Sequence, residues 1–184
     1  SSGGLLQVQW SADGTTDRAE QSTAATGFTD GSAHWVRVTV DVNNGAGGTD
    51  VKFYTSEDGY TWTQLGATKT TAGTLAVFDG TASLIIGDWQ TASNPLAGLV
   101  YAAQVYNGIG GTLVAFMDPN AYTGAGAWVA MTGETWTLGG TASIAAVPAL
   151  VPGAGLRDDW LRTHWLRDGF ELILLGQGWP LHDG

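Results

Sequence analysis

Between His34 and Trp62 the chain reads HWVRVTVDVNNGAGGTDVKFYTSEDGYTW, and its apolar residues recur at every second position. In HWVRVTVD, His34, Val36, Val38 and Val40 fall on one side, and Trp35, Arg37, Thr39 and Asp41 on the other. Val51, Phe53 and Thr55 alternate in the same way with Lys52, Tyr54 and Ser56. A period of two, carried by many β-branched residues, excludes a helix and specifies strands with one wet face, as antiparallel sheets have. The connector Asn43-Asn44-Gly45-Ala46-Gly47-Gly48 reaches positive φ easily and suits a hairpin loop. Asp58-Gly59 supplies the next turn, and Thr61 to Leu65 restarts the pattern.

The same grammar extends in both directions. Leu6, Val8 and Trp10 share one face of an early strand, followed by a turn at Ser11 to Thr15 and a short strand around Ala19 to Ser22. Phe28 stands ahead of a turn as a core plug or rim anchor. Later strands are expected at Ser83 to Gly87, at Leu99 to Tyr106, at Leu113 to Met117, at Trp128 to Met131 and at Thr135 to Leu138. No helix of useful length separates them, so two layers of antiparallel sheet are the economical solution.

Composition narrows the function classes. Acidic residues outnumber basic ones by 17 to 7, which excludes nucleic-acid binding through phosphate contacts and makes anionic membranes poor partners. Without cysteine there is no disulfide framework, thiol chemistry or cysteine-ligated zinc. Charged residues are only 13% of the chain, and 28 glycines accompany many Thr, Ser and Ala residues. Such a mixture suits short strands and turns under a weakly charged surface. No apolar run is long enough for membrane insertion as a helix.

The character of the sequence changes near residue 146. The sandwich is expected over 1–145, a Pro/Gly-rich linker over 146–155 and an apolar tail over 156–184. LRDDWLRTHWLR (156–167) is the one plausible helix, with imperfect amphipathicity because its Trp-Leu-Arg echo recurs after five residues. Trp160, Trp165, Phe170, Ile173, Leu174 and Trp179 concentrate apolar area that needs a cover. A contact with another subunit is the expected cover, with the chain's own sandwich as the alternative.

Five phrases carry a family resemblance: LLQVQWSADGTT (5–16), FTDGSAHWVRVTVDVNNG (28–45), VKFYTSEDGYTWTQLG (51–66), LAGLVYAAQVYNGIGGTLVA (96–115) and GETWTLGG (133–140). They resemble the concanavalin A-like, laminin-G-like jelly-roll domains of actinobacterial phage minor tail and structural proteins. The resemblance implies an all-β, two-sheet antiparallel jelly-roll sandwich, here carrying a short, partly helical C-terminal tail. Members of that family carry further strands ahead of the LLQVQW-like strand, so the domain would lack its first strands or receive them from another chain. It also implies a place in a virion or on an extracellular surface, among other assembly subunits and in a homo-oligomer.

Candidate chemistry is sparse. Related sandwiches include glycoside hydrolases, which need two carboxylates flanking one bond. Their Glu-x-Asp-x-x-Glu phrase is absent, and the nearest acidic cluster, Asp13, Asp17 and Glu20, lies in a turn-rich stretch. His34 reads as a border residue of its strand. The reading is therefore non-enzymatic, with a glycoside hydrolase and a free-standing calcium-assisted lectin as rivals. Aromatic rings stack on sugar faces, which makes Trp35, Tyr54, Tyr60, Trp89 and Tyr106 the candidates for binding a host glycan. Trp62 and Trp128 are assigned to the core. No cofactor is required, but the resemblance implies that calcium could sit at a loop edge, with Asp41, Asn43, Asp118 and Asn120 as its ligands.

Overall fold

A computed structural model describes residues 4–29, 31–81, 83–87, 96, 98–144 and 170–177. They form an all-β domain of antiparallel sheets with a single 3-10 turn, Pro119–Ala121. Chain order gives β1 (Gln7–Ser11), β2 (Asp17–Gln21), β3 (Ala33–Asp41), β4 (Gly48–Ser56), β5 (Thr63–Gln64) and β6 (Lys69–Ala72). These are followed by β7 (Leu99–Asn107), β8 (Thr112–Met117), β9 (Ala127–Val129), β10 (Thr135–Thr137) and β11 (Phe170–Gln177).

The large sheet has the order β5–β4–β3–β11–β7–β8, with β6 sharing the outer edge of β4 with β5. Its register fixes which residues share a face, because directly opposed residues in a ladder point the same way. Val36, Val38 and Val40 face Thr55, Phe53 and Val51 across β3 and β4. Leu172 lies between Val38 on one side and Val105 on the other, and Ala103 opposes Met117. This is the inner face of the sheet.

Two hairpins cover it. Leu6, Val8 and Trp10, on and just ahead of β1, pack with Val38, Val40, Val42, Val51, Phe53 and Leu172. Trp128 of β9 and Trp136 of β10 pack with Ala103 and Met117. The alternation read in HWVRVTVD and in LLQVQW places these side chains as expected, with Val40, Val51 and Phe53 almost wholly buried. Trp128 is buried, as its core assignment requires. Among the described residues the hairpins β1–β2 and β9–β10 remain separate two-stranded sheets.

Two segments differ from the sequence expectation. Ser83 to Gly87 forms no strand, and Leu84 and Ile85 remain about half exposed. An apolar run without a pairing neighbour has no ladder to join. The second difference concerns the tail. Residues 170–177 form an eight-residue strand at the centre of the sheet, antiparallel to both β3 and β7. FELILL does not alternate because a strand flanked on both edges and covered on both faces has no wet side to mark. Phe170, Ile173 and Leu174 thus belong by backbone pairing to the chain's own sheet, opposite Val40, Arg37 and Val36. The linker at 146–155, the helix at 156–167, Trp160, Trp165 and Trp179 lie outside the described residues.

Candidate functional site

The outer face of β3 and β4 carries a cluster built by strand register. Arg37 and Tyr54 are directly opposed. The guanidinium carbon of Arg37 stands 4.2 Å from the centre of the Tyr54 ring and 4.6 Å from that of Trp62. Trp62 leads into β5, whose Gln64 pairs with Tyr54, so the short strand brings the indole over the arginine. The planar cation contacts two electron-rich ring faces, each contact worth about 0.5–1 kcal/mol when partly exposed. Trp62 is therefore half-buried on the outer face and is not part of the inner core.

Trp35 lies two residues before Arg37 on the same face, and its ring packs over Gly59. A Cβ at Gly59 would come within 2.8 Å of that ring, and φ there is +75°. Tyr60 follows with 60% of its surface exposed. The structure thus groups three predicted sugar-binding residues, Trp35, Tyr54 and Tyr60, and adds Arg37 and Trp62 to them. Tyr106 shares the outer face, since it opposes Glu171 and through it Thr39. It lies three strands from Tyr54, about 14 Å across the sheet at the usual strand spacing. Its hydroxyl donates to Gln104 Oε1 at 3.1 Å. Trp89 lies outside the described residues.

The calcium candidates divide into two remote pairs. Asp41 ends β3 beside the Asn107 end of β7, whereas Asp118 follows β8 at the opposite end of the sheet. Asp41 Oδ1 accepts the Asn43 amide at 3.1 Å, and Asn43 Oδ1 accepts the Gly45 amide at 3.3 Å. Asn44 Oδ1 accepts the Ala46 and Gly48 amides at 2.9 and 3.0 Å, and its Nδ2 donates to Asp50. That bond, with another from the Thr70 hydroxyl, holds the Asp50 carboxyl below its usual pKa. Asp118 caps the 3-10 turn, accepting both the amide and the Nδ2 of Asn120 at 2.9 Å. These oxygens serve their own turns. Among the described residues no three His, Cys, Asp or Glu side chains gather as a metal-binding group.

Three other polar groupings bear on catalysis. Glu20 accepts the Thr71 hydroxyl at 3.2 Å and lies 3.7 Å from the Lys69 ammonium. It borders a pocket of about 170 Å³ with Trp10, Asp17 and Thr71, smaller than the roughly 300 Å³ at which ligand pockets begin. Asp17 and Glu20 are three residues apart on β2, which sends their side chains to opposite faces. Glu134 Oε1 accepts the Phe116 amide at 2.6 Å and the Trp136 indole N–H at 3.0 Å. Partial burial pushes the Glu134 carboxyl up, but its hydrogen bonds outweigh this and leave it below the usual range.

His34 is the third grouping. Its Nε2 lies 2.6 Å from Ser32 Oγ and its Nδ1 lies 3.0 Å from Glu57 Oε1, while Phe28 stacks on the ring at 3.9 Å. A serine, a histidine and a carboxylate in line invite a hydrolase reading. The Ser32 hydroxyl, however, donates to the Thr29 carbonyl and so accepts from His34 Nε2. Glu57 takes the Nδ1 proton. With both ring nitrogens donating, none is left to act as base toward Ser32. Phe28 is the rim anchor that its position in the sequence suggested.

Sequence reading missed a repeated turn. Ser11-Ala-Asp13-Gly14-Thr15-Thr16 and Ser56-Glu-Asp58-Gly59-Tyr60-Thr61 share the pattern Ser-x-Asp-Gly-x-Thr, which is visible in the sequence. In each, the serine Oγ accepts the glycine amide at 2.9 Å and the threonine hydroxyl donates to the aspartate at 2.9 Å. Each glycine abuts an aromatic ring, Phe78 in the first turn and Trp35 in the second. The second turn carries Tyr60 and leads to Trp62, so it is part of the candidate face.

Compared with protein-family models, curated proteins and solved structures, the chain matches none. The likeness to jelly-roll domains rests on the phrases quoted above.

Proposed function

We propose that this chain is a non-enzymatic structural and adhesion module of a virion or other surface assembly, which meets glycans through the outer face of β3, β4 and β5. In this reading the three sheets follow the concanavalin A-like jelly-roll plan, and the C-terminal region serves protein–protein contact. One observation carries the binding reading. Tyr54 and Trp62 stand against Arg37, with Trp35 and the exposed Tyr60 alongside. Flat rings around a planar cation offer stacking surfaces for sugar faces and a donor fork for sugar oxygens. The face is open and shallow, which suits recognition of an extended polysaccharide better than turnover of a bond.

Titration of the full chain with soluble oligosaccharides, neutral and uronic-acid-bearing, tests the reading through tryptophan fluorescence. A saturable change is expected for at least one class, weakened about tenfold by Tyr60→Ala, which corresponds to about 1.4 kcal/mol. Tyr60 is exposed, so this substitution should leave the thermal midpoint in place. Absence of saturation with every sugar, or binding indifferent to Tyr60→Ala, would sink the proposal.

A further inference from the structure

The last strand in sequence occupies the middle of the sheet, and this placement has a consequence for partners. β11 pairs over eight positions with β3 and over eight with β7. Because it runs antiparallel to both, β3 and β7 run in the same direction. Without β11, two inner strand edges face a gap one strand wide, each with unpaired amides and carbonyls. The gap is chemically specific. Leu172 packs with the inner-face cluster of Val38 and Phe53, and Ile173 on the other face is buried. Only a strand with apolar residues on both faces fills such a slot.

The slot and its occupant are distant in sequence. Residues 145 to 169 stand between Ile144 and Phe170. About 25 residues have a contour of roughly 80 Å at the covalent limit, far beyond the few residues of usual strand connections. A connection of that length imposes little directional constraint, because closure entropy rises only slowly with length. Tethering through it gives β11 an effective concentration on the order of millimolar at its own slot. Neighbouring copies in a surface assembly present equivalent slots at comparable local concentration.

We infer that β11 is exchangeable between copies: a second copy of this chain seats its own Phe170–Gln177 between β3 and β7 of the first. The contacts are those already present, so exchange costs no packing and is governed by local concentration. The inference concerns the assembly part of the function proposed above and is independent of the glycan part. The oligosaccharide titration can fail without touching it, and the reverse also holds.

The natural absence of cysteine makes the test clean. Ala33 and Gln177 are directly opposed across β3 and β11, at the end of the ladder, with Ala33 exposed. Opposed strand residues lie within the Cα separation that a disulfide spans. Full chains carrying Ala33→Cys alone and Gln177→Cys alone are unfolded together, refolded at about 1 mM and oxidised. A disulfide joining position 33 of one chain to position 177 of the other, identified by peptide mass, is the expected result. The double variant, refolded dilute, reports the geometry by closing the bond within one chain. Closure in the double variant with no bond between the mixed single variants overturns the inference. Light scattering on the unmodified chain gives an independent reading. A monomer that persists to about 1 mM overturns it whatever the cysteines do.

Discussion

Asp58 Oδ1 accepts the backbone amide of Thr61 at 2.7 Å, and Asp13 accepts that of Thr16 at the same distance. Amides at Tyr60 and Thr15 add a second bond of 2.8 Å to each carboxylate. Hydrogen bonds to the ionised form favour it. The Thr61 and Tyr60 amides accordingly hold Asp58 well below the usual carboxylate range, and the Thr15 and Thr16 amides do the same for Asp13.

A pH dependence follows from that direction. The folded carboxyls titrate below their unfolded value of about 3.9. Their stabilisation is thus fully present above that value and lost as pH falls through the folded range. Thermal unfolding followed by circular dichroism should show a midpoint that is flat near neutrality and declines below about pH 4. Asp58→Asn should reduce the steepness of that decline. An unchanged acid limb in the variant would mean that other carboxylates govern acid unfolding.

Gly59→Ala is expected to destabilise by about 1–3 kcal/mol, since a positive φ and a ring in van der Waals overlap act together. Gly45 has the same φ of +75° as Gly59 but nothing within 4 Å of its Cβ position. Gly45→Ala therefore measures the backbone cost alone, and the difference between the two variants measures the Trp35 contact. Equal losses in urea unfolding would show that the ring simply moves aside.

The sheet was legible wherever one face is wet. Val36, Val38 and Val40 alternate with polar residues because the sheet has an inside and an outside at β3. The same signal identified the strand containing Val8 and Trp10. It failed at β11, where burial on both faces erases alternation, and at Ser83 to Gly87, where apolar residues stand without a partner strand. The candidate face was half legible. Trp35 and Tyr54 announced themselves by falling on the polar side of their strands. Arg37 shared that side but drew no attention, because its role depends on Tyr54 lying directly across the ladder, and register is not written in local pattern. Trp62 was assigned inward because a lone tryptophan between turns gives no facing signal.

If β11 is integral to the core, Leu172→Ala should cost about 2 kcal/mol or more, the usual range for a leucine that leaves a cavity. Phe53→Ala, beside it in the same cluster, should cost about 3–5 kcal/mol. Val129→Ala, with 65% of its surface exposed, should stay within about 0.5 kcal/mol. Chemical denaturation of the three variants reads the order directly. A Leu172→Ala variant as stable as Val129→Ala would place residues 170–177 outside the cooperative core.

Arg37→Lys separates charge from shape on the candidate face. The substitution keeps a cation but loses the flat guanidinium that stacks between Tyr54 and Trp62, and an ammonium group covers neither ring as well. Two partly exposed cation–π contacts together are worth about 1–2 kcal/mol, so stability should fall by less than that sum. Affinity for the recognised oligosaccharide should fall further in proportion, because the rings lose the spacer that sets their separation. Measured side by side, a small loss of stability with a large loss of affinity identifies Arg37 as a positioning residue for the aromatic platform. A loss of stability with affinity preserved would instead make the cluster a brace for the edge of the sheet, with the sugar-binding surface elsewhere.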